Sequence, residues 1–232
     1  MGQLLSNLAN GSLIKLNENG HPEQFIKLDN DHYGTGTGVT MLRKKAYTQT
    51  AWNAASTYYN VFISCTLDNI CDGIFPQKLD EEIRACMLNT PIVVAQGMNV
   101  ANLHTIYRKA FPLSCTEVGL SGWQTEGRAF SYFTDNASRI AYLDGTDNTA
   151  VCWGPRSPGS SAEGAYDVGA SGALDYNYVS NPRFAARPAF NLKSSIVVSN
   201  NRDSDGCYTV ESTPAQSNGL YVKYNGVWRE TG

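Results

Sequence analysis

The sequence predicts an α+β fold of short antiparallel strands, two or three helices and long displayed loops, closed by a terminal β-hairpin. Three features carry that prediction. Strand-like runs flank Asn-Gly turns near both ends, helix-start signals sit only in the middle, and residues 144–185 are rich in Gly, Ser, Ala, Asp, Asn and Tyr. A chain of 232 residues suits one sizeable domain and can bury a core without covalent staples. The expected organisation is an N-terminal arm over 1–10, the main domain over 11–200, and a linker with the β-hairpin over 201–232.

In chain order, 12–16 and 24–28 read as strands joined by a turn at Asn19-Gly20. The following DNDHYGTGTG (29–38) lacks the Gly-Lys-Ser/Thr ending of a phosphate cradle, so it reads as a turn. Residues 40–43 read as a further strand. Ser56 is expected to cap a helix running to about Gly73, with Val61, Ile63, Leu67 and Ile70 on its apolar side. Asp80, followed by Glu81 and Glu82, starts a second helix that buries Ile83, Met87 and Leu88, because acids suit the positive first turn. Residues 91–95 read as a short strand, and Asp135 caps a short helix over 138–143. From Asp144 onward Trp153, Tyr166, Val168, Leu174 and Val179 are expected to tie short strands between long loops. Residues 190–198 read as a core strand. Alternation on either side of Asn225-Gly226 predicts a hairpin with a two-residue turn.

Composition narrows the function. Only 17% of residues are charged, against roughly 25% in an average soluble protein, and 13 tyrosines help fill the gap. Such a surface meets partners through neutral hydrogen bonds and aromatic faces. A net charge of −3 offers no basic footprint for nucleic acid. No window approaches the ~20 apolar residues of a membrane span, and no secretory signal is expected from MGQLLSNLANGSL. The cysteines at 65, 71, 86, 115, 152 and 207 form no Cys-x-x-Cys pair, so reduced and mostly buried thiols are expected. The sequons at Asn10 and Asn136 then read as idle. His21, His32 and His104 lie far apart among loop residues and read as surface or capping histidines, with no metal site and no cofactor expected. No nucleophile motif occurs, so the reading is non-enzymatic.

The stretch VCWGPRSPG (151–159) and its counterpart Arg187-Pro-Ala-Phe-Asn-Leu are the informative motifs. Each places an arginine close to a proline that fixes φ and removes a donor. A guanidinium offers five donors, and a segment poor in regular ladders leaves many carbonyls to satisfy. Arg156 and Arg187 therefore read as structural clamps, with Trp153 as their apolar anchor. The alternative for the same residues is an anion-binding arginine pair.

Taken together, Trp153-x-x-Arg-Ser-Pro, Ala165-x-x-Val and Gly, and Arg187-Pro-Ala-Phe-Asn-Leu resemble a domain family frequent in gut Firmicutes and their phages. The likeness includes residues 11–20, Leu113-Ser-x-x-Glu117-Val-Gly, Ser131-Tyr-Phe and Arg139-Ile-Ala-Tyr-Leu, and covers about 10–200. It departs at 152–155, where the family usually carries two aromatics and a Leu. That family is similar in turn to the C-type-lectin-like fold shared by formylglycine-generating enzymes and by variable proteins of diversity-generating retroelements.

The resemblance implies a C-type-lectin-like domain whose Trp and Arg motifs support a loop-rich ligand face. It implies a phage virion protein, on a tail fibre or capsid, that attaches to a bacterial surface protein or glycan. The expected contacts are Tyr166, Asp167, Asp175, Tyr176, Asn177, Tyr178 and Arg183. A structural alternative is a capsid decoration or tail assembly subunit that contacts other virion subunits and forms a homo-oligomer. The oxidase branch needs two closely spaced cysteines, which the distant Cys152 and Cys207 do not supply. The calcium motifs of sugar-binding C-type lectins are absent from the sequence.

Overall fold

The computed structural model describes residues 2–54, 59–146, 148–213, 221–224 and 227–230. The strands are β1 (Gln3–Leu4), β2 (Leu13–Glu18), β3 (His21–Asn30), β4 (Val39–Arg43), β5 (Thr48–Thr50), β6 (Thr90–Gly97), β7 (Val100–Arg108) and β8 (Ala110–Pro112). They continue as β9 (Ala141–Tyr142), β10 (Ala150–Val151), β11 (Gly164–Val168), β12 (Leu174–Tyr178) and β13 (Phe184–Ala186). The last are β14 (Pro188–Leu192), β15 (Val197–Val198), β16 (Tyr208–Ser212), β17 (Tyr221–Tyr224) and β18 (Val227–Glu230). Among the described residues the α-helices are three and short, α1 (Thr66–Asp68), α2 (Glu81–Arg84) and α3 (Asn136–Arg139). The fold is therefore α+β and dominated by strands.

The main sheet runs β1-β15-β16-β2-β3-β4-β14-β8, antiparallel except where β16 lies parallel to β2. Its centre is buried on both faces, so every residue of β4 and β14 is buried, the polar Thr40, Arg43 and Asn191 included. Period-two geometry sorts their side chains. Phe25, Met41 and Phe190 enter one core, where Phe25 meets the edge of Phe190 at 5.5 Å. Ile26, Leu42 and Ala189, paired across the same sheet, enter the other core with Trp52, Trp153 and Phe184. Burying a phenylalanine such as Phe25 contributes roughly 1.5–3 kcal/mol.

Local chemistry explains several elements. Asn19 (φ 52°) and Gly20 (φ 79°) both take left-handed backbone, the requirement of the tight turn that joins β2 to β3. Asp135 caps α3 by accepting from the Ser138 amide at 2.8 Å, while the Ser138 hydroxyl closes the box from the other side. The pairing of Tyr224 with Val227 gives the terminal hairpin its two-residue connection, and Asn225-Gly226 itself lies outside the described residues.

Other expectations are corrected. The stretch expected as an N-terminal arm over 1–10 is not free in its described residues 2–10: β1 pairs with β15, and Leu5 and Leu8 are buried in the second core. The boundary near 201 also fails, because β16 joins the main sheet beside β2. The first helix begins at Thr66 behind Cys65, then continues as π and 3₁₀ turns to Lys78. Ser56 lies outside the described residues, and Ile63 is exposed. The second helix is a single turn, and the Asp80 carboxylate accepts from Asn17 and Gly20 of the first hairpin rather than capping it. The helix expected over 138–143 stops at Arg139, and the strand expected over 190–198 breaks after Leu192. Finally, His104 lies on strand β7, not in a loop.

Candidate functional site

Strands β13 and β14, together with the turns around Trp153, bring the arginine motifs into the interior. Arg187 is 1% exposed. Its guanidinium donates to the carbonyls of Arg43 (3.1 Å), Lys44 (3.1 Å) and Arg139 (3.3 Å), and lies 5.1 Å over the Trp153 ring. Trp153 Nε1 donates to the same Arg139 carbonyl at 2.9 Å. Burial lowers the Arg187 pKa to about 10, which still leaves it protonated at neutral pH. A charge satisfied by carbonyl dipoles and an aromatic face fits this geometry.

Arg156 is solved differently. It is fully buried and grips Glu117 with two bonds of 2.7 and 2.6 Å. It also donates to Val93 O (2.8 Å) and Pro112 O (3.1 Å). Burial opposes its charge, yet the Glu117 carboxylate holds its pKa above the ordinary arginine value. Glu126 stands near this pair, with Oε1 accepting from the Ala95 amide at 2.8 Å and Oε2 unpartnered among the described residues. Burial raises its pKa and the Arg156 charge opposes that rise. An anion-binding arginine pair is excluded, because the two guanidinium groups are buried on separate sets of partners.

Sequence reasoning missed several buried residues of this region. Trp52 Nε1 donates to Pro155 O at 2.9 Å. The buried Asn60 amide donates to the carbonyls of Gly159, Ser161 and Gly164 (2.9, 2.8 and 2.8 Å), while its oxygen accepts from Met98 N. Arg139 donates to Val118 O and Gly119 O. Arg43 binds Glu18 through two bonds and Asp144 through a third. Nothing local in the sequence singles out Asn60, whose carbonyl partners are about a hundred residues away and whose Met98 partner is 38 away.

On this bracket sits the β11–β12 hairpin, which brings most of the expected contacts together. Tyr166 pairs with Tyr176 across the strands, ring edge to face at 5.5 Å. The Tyr176 hydroxyl bonds Ser161, and Tyr178 is 68% exposed. Asp175 is also exposed. Arg183 joins through Asn181, whose side chain bonds both the Arg183 amide and Asn177, and its guanidinium reaches Cys152 Sγ at 3.6 Å. Asp167 is the correction: it is 1% exposed and accepts from Asn177 at 2.7 Å, and burial raises its pKa. Tyr166 is half-buried and Asn177 is engaged, so the exposed members of the expected set are Asp175, Tyr176, Tyr178 and Arg183.

His32 is not a surface histidine. It stacks on Phe130 at 3.6 Å and bonds Asp29 and Arg128 O. All six cysteines are unpaired and buried. Burial pushes the Cys65 thiol up to about 12 and raises Cys71 and Cys115 as well, which suppresses thiolate chemistry there. No group of three His, Cys, Asp or Glu side chains is arranged for a metal among the described residues. No helix among them is long and apolar enough to cross a membrane.

Neither a curated protein nor a solved structure matches the chain. A family model described as a domain of unknown function, DUF6273, matches residues 37–194, from the turn before β4 to just past β14 and including both arginine motifs. The chain belongs to the DUF6273 family.

Proposed function

We propose that the protein is a non-enzymatic phage virion component whose C-type-lectin-like scaffold displays the β11–β12 hairpin for attachment to a bacterial surface protein or glycan. The observation that carries this reading is a pair of exposed tyrosines, Tyr176 and Tyr178, on a hairpin backed by the buried residues Asn60, Trp153 and Asp167. Exposed rings on a preorganised support bind with little ordering cost. The phage setting rests on the family resemblance of the arginine and tryptophan motifs. Adsorption of purified protein to host cells tests the proposal. Alanine at both Tyr176 and Tyr178 should abolish adsorption with the melting temperature kept, and adsorption that survives the double replacement refutes it.

One observation favours the second reading, an assembly subunit. β7 pairs only with β6 among the described residues, its side chains from Ala101 to Thr105 are exposed, and it carries no charge before Arg108. An open edge of nine residues whose one Arg or Lys is the last of them is a template for pairing with another chain. Lysine at Leu103 and Thr105 should then dissolve an oligomer seen by light scattering, whereas a wild-type monomer rejects this reading.

A further inference from the structure

Apart from the hairpin, a cleft of about 480 Å³ opens between Glu23, Gln24, Lys44, Lys45, Tyr142 and Asn148. We propose that this cleft is a binding site for a neutral pyranose ring. It shares no residue with the hairpin and goes beyond the attachment reading.

The walls are preorganised. The Lys44 amide donates to Gln24 O at 2.9 Å and the Ala46 amide to Tyr142 O at 2.9 Å, so the segment after β4 that carries Lys44 and Lys45 is tied to β3 on one side and β9 on the other. The Lys44 ammonium bonds Gln24 Oε1 at 2.6 Å. Behind the rim, Arg187 holds the carbonyls of Arg43 and Lys44. The Arg43 guanidinium binds Glu18 and Asp144 and comes within 3.5 Å of Glu23. The clamp derived above therefore fixes one wall of this cleft.

The lining chooses the ligand class. Among the described residues, two ammonium groups and a carboxylate line the space, so an anion meets Glu23 and a cation meets Lys44 and Lys45. A neutral polyol avoids both conflicts, because each hydroxyl both donates and accepts. Glu23 and Gln24 can accept from such hydroxyls, while Lys45 and Asn148 can donate to them. Tyr142 is 40% exposed and offers a ring face to the C–H face of a sugar. The volume falls in the range of small-molecule sites, roughly 300–1,000 Å³.

The test is an amide-resolved NMR titration of the full chain with methyl α-glucopyranoside, methyl β-galactopyranoside and N-acetylglucosamine. Glycerol and acetate serve as the acyclic and anionic controls. At least one pyranoside should shift the amides of Gln24, Lys44 and Lys45 saturably, with Kd on the order of 1 mM. Tyr142→Ala should weaken it about tenfold and Tyr142→Phe should restore it. Glu23→Gln should also weaken it, with the melting temperature unchanged. The inference is overturned if no pyranoside shifts these amides up to its solubility limit. It is equally overturned if the shifts map elsewhere, if Tyr142→Ala binds as tightly, or if acetate binds better than every sugar. Host adsorption plays no part in this readout, so its loss or survival in the hairpin variants leaves the outcome untouched.

Discussion

Replacing Arg156 by methionine should be among the most damaging single changes in this protein, and the structure says why. The side chain is fully buried and supplies two bonds to Glu117, one to Val93 O and one to Pro112 O. Methionine fills much of the volume but leaves the Glu117 carboxylate buried without its counter-charge. Breaking one side of a buried pair costs about 3–5 kcal/mol, a large part of a total stability of roughly 5–15 kcal/mol. For a chain of this size that corresponds to a fall of about 6–20 °C in melting temperature. Removing both charges should cost less. In Arg156→Met with Glu117→Leu, the remaining deficits are the Ser114 amide, which donates to Glu117 at 3.0 Å and would lose its acceptor, and the Val93 and Pro112 carbonyls, which would lose a donor. Each such group costs about 1–3 kcal/mol, but no buried charge is left unpaired, so the double variant should cost less than the sum of the two single variants. Urea unfolding followed by tryptophan fluorescence, read at constant slope, measures all the variants of the cycle. The reasoning is refuted if the double variant costs the sum of the two singles. It is refuted as well if Arg156→Met lies within about 1 kcal/mol of the parent, below the range for a broken buried pair.

Other outcomes follow from the same geometry. Asn60→Ala removes a donor from three carbonyls, of which Ser161 O and Gly164 O keep a backbone amide, and leaves the Met98 amide without its acceptor, so it should cost about 2–4 kcal/mol in the same unfolding assay. His32 has its pKa lowered by burial, an effect the Asp29 bond opposes, so the unfolded chain takes its proton at higher pH than the folded one. Stability should therefore fall as pH drops from about 6.5 through the lowered folded value, and His32→Gln should remove that part of the pH profile. Gly172 has φ +80°, and a methyl group there would drive into the backbone carbonyl of Asn136, so Gly172→Ala should destabilise the whole segment by at least about 1–3 kcal/mol. At Gly164 the obstacle is the Tyr176 hydroxyl end of a partly exposed side chain. Gly164→Ala should move that ring and reduce host adsorption while shifting the melting temperature by less than about 3 °C.

What the sequence determined by itself is what depends on neighbours along the chain. Asn19-Gly20 dictates its turn because few other pairs accept two left-handed residues, and Asp135 with Ser138 closes its own capping box. The arginine motifs were legible as interior brackets because proline and a scarcity of ladders left carbonyls in need of donors. The tertiary structure alone decided their partners: Glu117 lies 39 residues before Arg156, and Arg43 O lies 144 residues before Arg187. It also decided β7, whose largely exposed side chains carry no alternating pattern to read. Nor could the sequence divide the polar hairpin residues between inside and outside. Asp167 turns inward to Asn177 while its neighbour Tyr166 stays half-buried, and that choice is set by the surface each strand face meets rather than by the residue's own character. Burial is a property of contacts between distant segments, so polar groups that survive it can be recognised only once their partners have been brought to them.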